Sequence, residues 1–109
     1  MSELSAEDAK IVTLARSSRA RTGAAEGAAV RDSDGRTYAA TTVQLNSLEL
    51  TAVQAAVAAA VSSGAQGYEA IAVVTESIEP ADVDRAIAAD LGVPLIVAGL
   101  DGVVAGFAR

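Results

Sequence analysis

Cysteine and histidine are both absent from the 109-residue sequence. Without them the chain has no disulfide, no thiol nucleophile, no imidazole general base and no zinc site of the usual Cys/His kind. The Ser and Thr hydroxyls near the N-terminus have no such base beside them in the sequence, so an activated nucleophile is not expected either. We therefore expect no metal and no cofactor.

Aromatic residues and long apolar runs are also scarce. Aromatics make up 3% of the chain while hydrophobic residues make up 51%, so the core must consist of closely packed Ala, Val, Ile and Leu. No uninterrupted run of about 18 apolar residues occurs and the first residues are acidic and polar, so neither a membrane span nor a signal peptide is predicted. We expect a cytoplasmic protein with a single domain over residues 1–109.

Positive charge is limited and unevenly placed. The net charge of −6 argues against general affinity for nucleic acid, because binding to phosphates requires clustered Lys and Arg. The basic residues of the first third could form a phosphate or RNA contact, or they could be solvated; we favour the solvated interpretation. The excess of Arg over Lys and the abundance of Ala indicate a bacterial source. The basic residues of the first third are Lys10, Arg16, Arg19, Arg21, Arg31 and Arg36.

The N-terminal part of the chain reads as a helix followed by a hairpin. Ser5 and Asp8 resemble a capping box at the start of a helix that extends to about Arg19. Asp34-Gly35 lies between two β-compatible runs and is typical of a tight turn, which predicts a β-hairpin over residues 26–43.

A second predicted helix, over residues 50–63, is apolar on nearly every face. Gly64 provides its C-terminal stop. A helix of this kind must be covered on most sides, so it lies at the centre of the fold or against another subunit. We expect a homo-oligomer, a dimer or a tetramer. The apolar line that defines this helix is Leu50, Val53, Val57 and Val61.

The remaining segments predict a parallel crossover. Residues 70–76 and 94–99 are continuous apolar runs typical of buried strands, and residues 80–91 between them have a helical pattern. A last strand is expected after the Asp101-Gly102 turn. This order favours an α/β sandwich with a mixed sheet. The inner positions expected for the helix are Ala81, Val83, Ile87 and Leu91.

Several of these segments, in this order, resemble the cytidine deaminase family over nearly the whole chain. "EGAAVRDSDGRTYAATTV" resembles the family's hairpin, usually written with V-G-A-A and a D-G-R turn. "TAVQAAVAAAVSSG" is similar to its zinc-site helix, C-A-E-R-T-A followed by small residues, and "YEAIAVVTES" and "PLIVAGLDG" resemble later strands. The resemblance implies a three-layer α/β/α sandwich with a mixed sheet.

The residues that carry the family's chemistry are replaced. In the family, Cys residues on that helix and in a P-C-x-x-C motif hold zinc, and a Glu moves the proton. Carried over, the Cys positions fall on Thr51, Ala81 and Asp84, the Glu position falls on Val53, and Pro80 is retained. The resemblance therefore implies a protein without zinc or deaminase activity.

The positions that would contact substrate also differ. The family's ribose-binding N-V-E segment corresponds here to Thr42-Val43-Gln44, and Arg21 and Ala24 stand where its aromatic residues would stack on a base. Thr42, Gln44 and Arg21 are thus the candidate ligand-binding residues.

One further group of residues has two interpretations. Asp82 and Asp84, with Glu76 and Glu79 nearby, could form a carboxylate cluster for Mg²⁺ or Ca²⁺. Alternatively they are solvated charges in the first turn of a helix, where the helix dipole favours acids. We favour the solvated interpretation.

The sequence thus predicts a relative of the cytidine deaminases that is not an active enzyme and serves as an oligomeric interaction or scaffold module for an unknown protein partner. One alternative is a nucleoside- or nucleotide-binding protein with a remodelled cleft built on Thr42, Gln44 and Arg21. A second alternative is a related hydrolase with metal-free or carboxylate-based chemistry.

Overall fold

The protein is described from a computed structural model, which covers residues 4–77 and 79–108. Three helices and seven strands lie within these residues, and each of the main predicted elements is present. In chain order they are α1 (Ala6–Thr22), β1 (Gly27–Asp32), β2 (Thr37–Thr41), β3 (Val43–Gln44), β4 (Glu49–Leu50), α2 (Ala52–Ser62), β5 (Tyr68–Val74), α3 (Asp82–Leu91), β6 (Leu95–Ala98) and β7 (Val104–Ala108).

Five of the strands form one mixed sheet in the order β2-β1-β5-β6-β7. β1 pairs antiparallel with both β2 and β5, whereas β5 and β6 are parallel and are connected through α3. β7 returns antiparallel beside β6. The predicted mixed sheet is confirmed. The two-residue strands β3 and β4 form a separate small hairpin that the sequence did not predict.

Helices cover both faces of this sheet. Alternate side chains of β5 point to opposite faces, as strand geometry requires. Ala72 and Val74 pack with α1, and Ile71 and Val73 pack with α2 and with Ala88 of α3. The predicted three-layer α/β/α sandwich is confirmed. Within the described residues, no helix combines the length and apolarity needed to cross a membrane.

α1 begins at its predicted cap and ends later than predicted. The Ser5 hydroxyl accepts a hydrogen bond from the Asp8 backbone N–H at 3.0 Å, and Gly23 ends the helix in the left-handed conformation. The Asp8 side chain is used differently from a capping box, because its carboxylate pairs with Arg31 across the fold.

α2 buries part of the stripe predicted for it, because Val53 and Val57 lie on the inner face. Leu50 lies in β4, and Val61 is 54% exposed, so neither belongs to the inner face. The outer face of the helix, with Ala58 and Ala59, is also exposed in the isolated chain. Small side chains on the inner face let the helix lie close to the sheet. The buried residues are Ala52, Val53, Ala56, Val57 and Ala60.

α3 also differs in its start and in its phase. The helix begins at Asp82, after Pro80, and Ala81 is its N-cap. The expected inner residues Ala81 and Val83 are exposed, whereas Asp84 is buried. Ile87 and Leu91 pack against the core as predicted, whereas the prediction was wrong for the first turn, because the apolar pattern gave no weight to a buried polar side chain.

One of the basic residues of the first third is not solvated. Arg31 is buried, and its guanidinium binds Asp8 at 2.9 Å and Glu69 at 2.7 Å. Arg16 and Arg19 each donate to a backbone carbonyl, those of residues 100 and 24. Placing Arg31 in a solvated or phosphate-binding patch was therefore wrong, because its guanidinium is buried and paired with Asp8 and Glu69.

The contact between α1 and β1 yields a test of the close packing. A Cβ atom at Gly27 would overlap the Ala15 carbonyl oxygen and lie 2.9 Å from the Arg19 Cβ. Gly27→Ala should therefore lower the free energy of unfolding by about 2 kcal/mol, since helix and strand must separate. Urea denaturation measures this. At Gly106 an added Cβ meets nothing within 4 Å, so Gly106→Ala is the matched control. Equal stability of the two variants would contradict the packing described.

Candidate functional site

A cleft of about 570 Å³ opens at one edge of the sheet, where β1 begins and both β2 and β5 end. These strand ends lie side by side because the antiparallel pairing places Gly27 opposite both Thr41 and Val74. The first turn of α2 and the small β3–β4 hairpin complete the walls. A volume of this size is typical of small-molecule sites.

Glu26 forms hydrogen bonds with the residues that follow β2 and β5. Its carboxylate accepts a hydrogen bond from the hydroxyl of Thr75, which is buried, at 2.6 Å. Its backbone N–H donates to the Thr42 hydroxyl at 3.1 Å. Glu49 and Glu76 lie elsewhere on the wall. Among the described residues that line the cleft, there are three carboxylates and no Lys or Arg, so the lining is negatively charged.

The first turn of α2 is held by a reciprocal cap. The Thr51 hydroxyl accepts from the Gln54 backbone N–H at 3.0 Å, and the Thr51 backbone N–H donates to the Gln54 side-chain oxygen at 2.8 Å. Two N–H groups that a helix leaves without partners are thereby satisfied. Both residues line the cleft, so the cap fixes part of its wall.

A second hydrogen bond ties this turn to α3. The Thr51 hydroxyl donates its proton to the Asp84 carboxyl at 2.7 Å. Asp84 is only 1% exposed, whereas Asp82 in the same turn is exposed. The expectation that Asp84 is a solvated charge was wrong: the phase of α3 points this side chain at Thr51, and the helix-dipole argument holds only for Asp82.

The surroundings of Asp84 favour its neutral form. Burial raises the pKa of the Asp84 carboxyl, because the charged form loses its hydration. The hydrogen bond from Thr51 acts in the opposite direction, and the negative charge of Glu26 raises the pKa further. A neutral carboxyl retains an oxygen that accepts from Thr51.

Comparison with known families identifies the fold. A model of the cytidine deaminase-like family matches residues 4–102. The chain belongs to this family. No curated protein sequence matches it at a significant level.

Solved structures of cytidine deaminases have the same fold. The enzyme from Burkholderia pseudomallei superposes with a TM-score of 0.78 at 23% identity, over 92% of this chain and 90% of the other. Cytidine deaminase from Mycobacterium leprae gives 0.67 at 18% identity, over 81% of this chain and 85% of the other. A point mutant of the Mycobacterium tuberculosis enzyme gives 0.66 at 25% identity, over 79% and 81%.

The residues at the family's metal positions do not fit zinc. Ala81 has no donor atom, and the sequence contains no Cys or His. Thr51 and Asp84 are hydrogen-bonded directly to each other. Val53, at the position of the proton-carrying Glu, is fully buried and apolar. Over residues 4–77 and 79–108, no three side chains of the His, Cys, Asp or Glu type are grouped to hold a metal ion.

The acidic residues considered for Mg²⁺ or Ca²⁺ are not brought together. Asp84 points inward to Thr51, and Asp82 lies exposed in the same helical turn. Glu76 belongs to the cleft wall, whereas Glu79 pairs with Arg85 at 3.4 Å.

The structure brings together two of the three candidate ligand-binding residues. Thr42 and Gln44 line the cleft. Arg21 does not; it is exposed in the last turn of α1. Sequence reasoning missed Glu26 and Gln54, although both had signals: Glu26 replaces the first residue of V-G-A-A, and Thr51-x-x-Gln54 is a capping-box pattern.

The raised pKa of Asp84 predicts a stability difference that depends on pH. A buried acid of this kind stabilises the fold below its unfolded-state pKa, and that contribution is lost as the pH rises through the folded-state pKa. Asp84→Asn keeps an acceptor for Thr51 without the ionisation. The variant should match the wild type near pH 3 and become increasingly more stable than it towards pH 8.

Urea denaturation across this pH range measures the effect. Asp82→Asn, in the exposed position of the same turn, is the matched control and should show no such trend. If Asp84→Asn is less stable than the wild type by the same amount at every pH, the description of Asp84 is wrong.

Proposed function

We propose that this protein is a catalytically inactive member of the cytidine deaminase-like family that acts by binding. The observation that carries the proposal is the 2.7 Å hydrogen bond between Thr51 and Asp84, formed at two positions where the resemblance places metal ligands. Hydrolytic deamination requires an activated water and a group that carries a proton to the leaving nitrogen. The buried Val53 side chain cannot transfer a proton, and the Thr51 hydroxyl already donates its hydrogen bond to Asp84.

The direct test is ammonia release from cytidine. We expect no release above the uncatalysed rate, with or without added zinc, because no residue at the site supplies the missing proton transfer. A cytidine deaminase assayed in the same buffer serves as the positive control. Ammonia release that scales with this protein and disappears on substitution of Thr51 would overturn the proposal.

The bound molecule that the cleft favours is a nucleoside. Its volume is suitable, and Thr42, Gln44 and Gln54 place hydroxyl and amide groups on the wall. Three carboxylates in the lining would repel a phosphate, and Arg21 lies outside the cleft. We therefore favour nucleosides over nucleotides.

Thermal unfolding with a ligand panel tests this binding. A nucleoside at about 100 times its Kd adds about 2.7 kcal/mol of stability, which raises the midpoint by several degrees. The corresponding monophosphate should give a smaller shift. Gln44→Ala should reduce the shift, whereas Gln66→Ala, on an exposed loop outside the cleft, should preserve it. If no nucleoside shifts the midpoint, nucleoside binding is wrong.

The outer face of α2 supports a second mode of binding, the interaction role expected from the sequence. Ala58, Ala59 and Val61 are exposed there in the isolated chain. We propose a second copy of the chain as the occupant, in a dimer or tetramer, because an apolar helix face is stabilised when it is covered. The mass of the assembled particle in solution decides this point. We expect the mass of a dimer or a tetramer, and the mass of a monomer would contradict the proposal. The cytoplasmic location and the bacterial source remain predictions.

A further inference from the structure

The contact between Thr51 and Asp84 connects the starts of two helices. Thr51 is the N-cap of α2, and Asp84 lies in the first turn of α3, three residues after its N-cap Ala81. The Asp84 backbone N–H donates to the Ala81 carbonyl at 3.0 Å, so those two residues belong to one turn. Two of the positions that correspond to the family's metal ligands are therefore in contact, and the third, Ala81, lies in the same turn as Asp84.

The length of the contact leaves no place for an ion between the two side chains. Oxygen ligands of a tetrahedral zinc lie about 2.0–2.2 Å from the metal, which separates two of them by roughly 3.3 Å or more. The Thr51 and Asp84 oxygens are 2.7 Å apart, the distance of a direct O–H to carboxyl hydrogen bond. The hydroxyl has one proton, and this bond uses it.

We infer that the Thr51–Asp84 hydrogen bond takes the place of a metal ion and connects the first turn of α2 to the first turn of α3 without one. The tie is internal to the chain, so the fold and the cleft wall at Thr51 require no metal. This inference rests on the geometry of the two helix starts and does not depend on which molecule the cleft binds.

The burial of Asp84 explains why its carboxyl needs a hydrogen-bond donor. At 1% exposure, Asp84 has lost its hydration, and a buried carboxyl without a partner destabilises a fold. The Thr51 hydroxyl supplies that partner and also caps α2. A single hydroxyl thus satisfies groups on both helices, so the two residues should be energetically coupled.

A double-mutant cycle tests the structural role. Thr51→Ala, Asp84→Ala and the double variant are unfolded thermally beside the wild type. Because the loss of the α2 cap cancels in the cycle, the double variant should lose less in midpoint than the two single losses combined. Additive losses would overturn the inference.

The wild-type protein tests metal independence without any substitution. We expect the same unfolding midpoint, within about 1 °C, with excess zinc, with a chelator and with neither. A fall of several degrees on chelation, or a comparable rise with zinc, would show that an ion binds and would overturn the inference.

A variant with Cys at the three positions tests whether they surround one metal-sized site. The variant Thr51→Cys/Ala81→Cys/Asp84→Cys, refolded under reducing conditions with Co²⁺, should bind one ion per chain and show the absorption of a tetrahedral thiolate site. Its control moves one thiol to Ala89, an exposed position on α3, and should show no such band. Equal Co²⁺ binding by the two variants, or none by either, would mean that the three positions do not form a metal site. If neither variant folds, the double-mutant cycle and the wild-type measurement decide.

Discussion

The hydrogen bond between Thr51 and Asp84 is the constraint on which the cleft of this molecule depends. It fixes the phase of α3, because a buried carboxyl must find a donor and the donor is on α2. Through the cap on Gln54 it also fixes where α2 begins. The wall of the cleft follows from both, since Thr51 and Gln54 are part of it. A polar contact of this kind costs stability when it is incomplete, and here the Thr51 hydroxyl both donates to Asp84 and accepts from the Gln54 backbone N–H.

Close packing of small residues supplies the rest of the stability. The sheet carries Ala at many inward positions, and α2 buries three Ala residues against it, so helix and strand approach closely. Gly27 marks the tightest approach, beneath α1. At the other end of β1, the buried Arg31 pairs with Asp8 of α1 and with Glu69 of β5, so an ion pair as well as packing connects α1 to the sheet. At the cleft, Glu26 and Thr75 are joined by a hydrogen bond of 2.6 Å.

The order of the elements followed from the sequence, whereas the faces of two helices did not. Asp34-Gly35 and Gly64 marked real boundaries, because turn chemistry and helix stops are local properties of the chain. The phase of α3 was missed because it depends on Asp84 meeting Thr51, a contact between residues 33 positions apart. The cleft residue Gln54 was readable from its capping pattern, but only the fold shows that it faces the same space as Glu26.

We propose that, in this deaminase-like fold, the direct hydrogen bond between Thr51 and Asp84 takes the place of a metal ion beside the cleft. A crystal structure of the wild-type protein grown with a zinc salt, with anomalous data at the zinc edge, tests this claim most directly. We predict a direct hydrogen bond between Thr51 and Asp84 and no anomalous peak beside them. A zinc peak within bonding distance of the Asp84 carboxylate, with the two side chains separated, would contradict it.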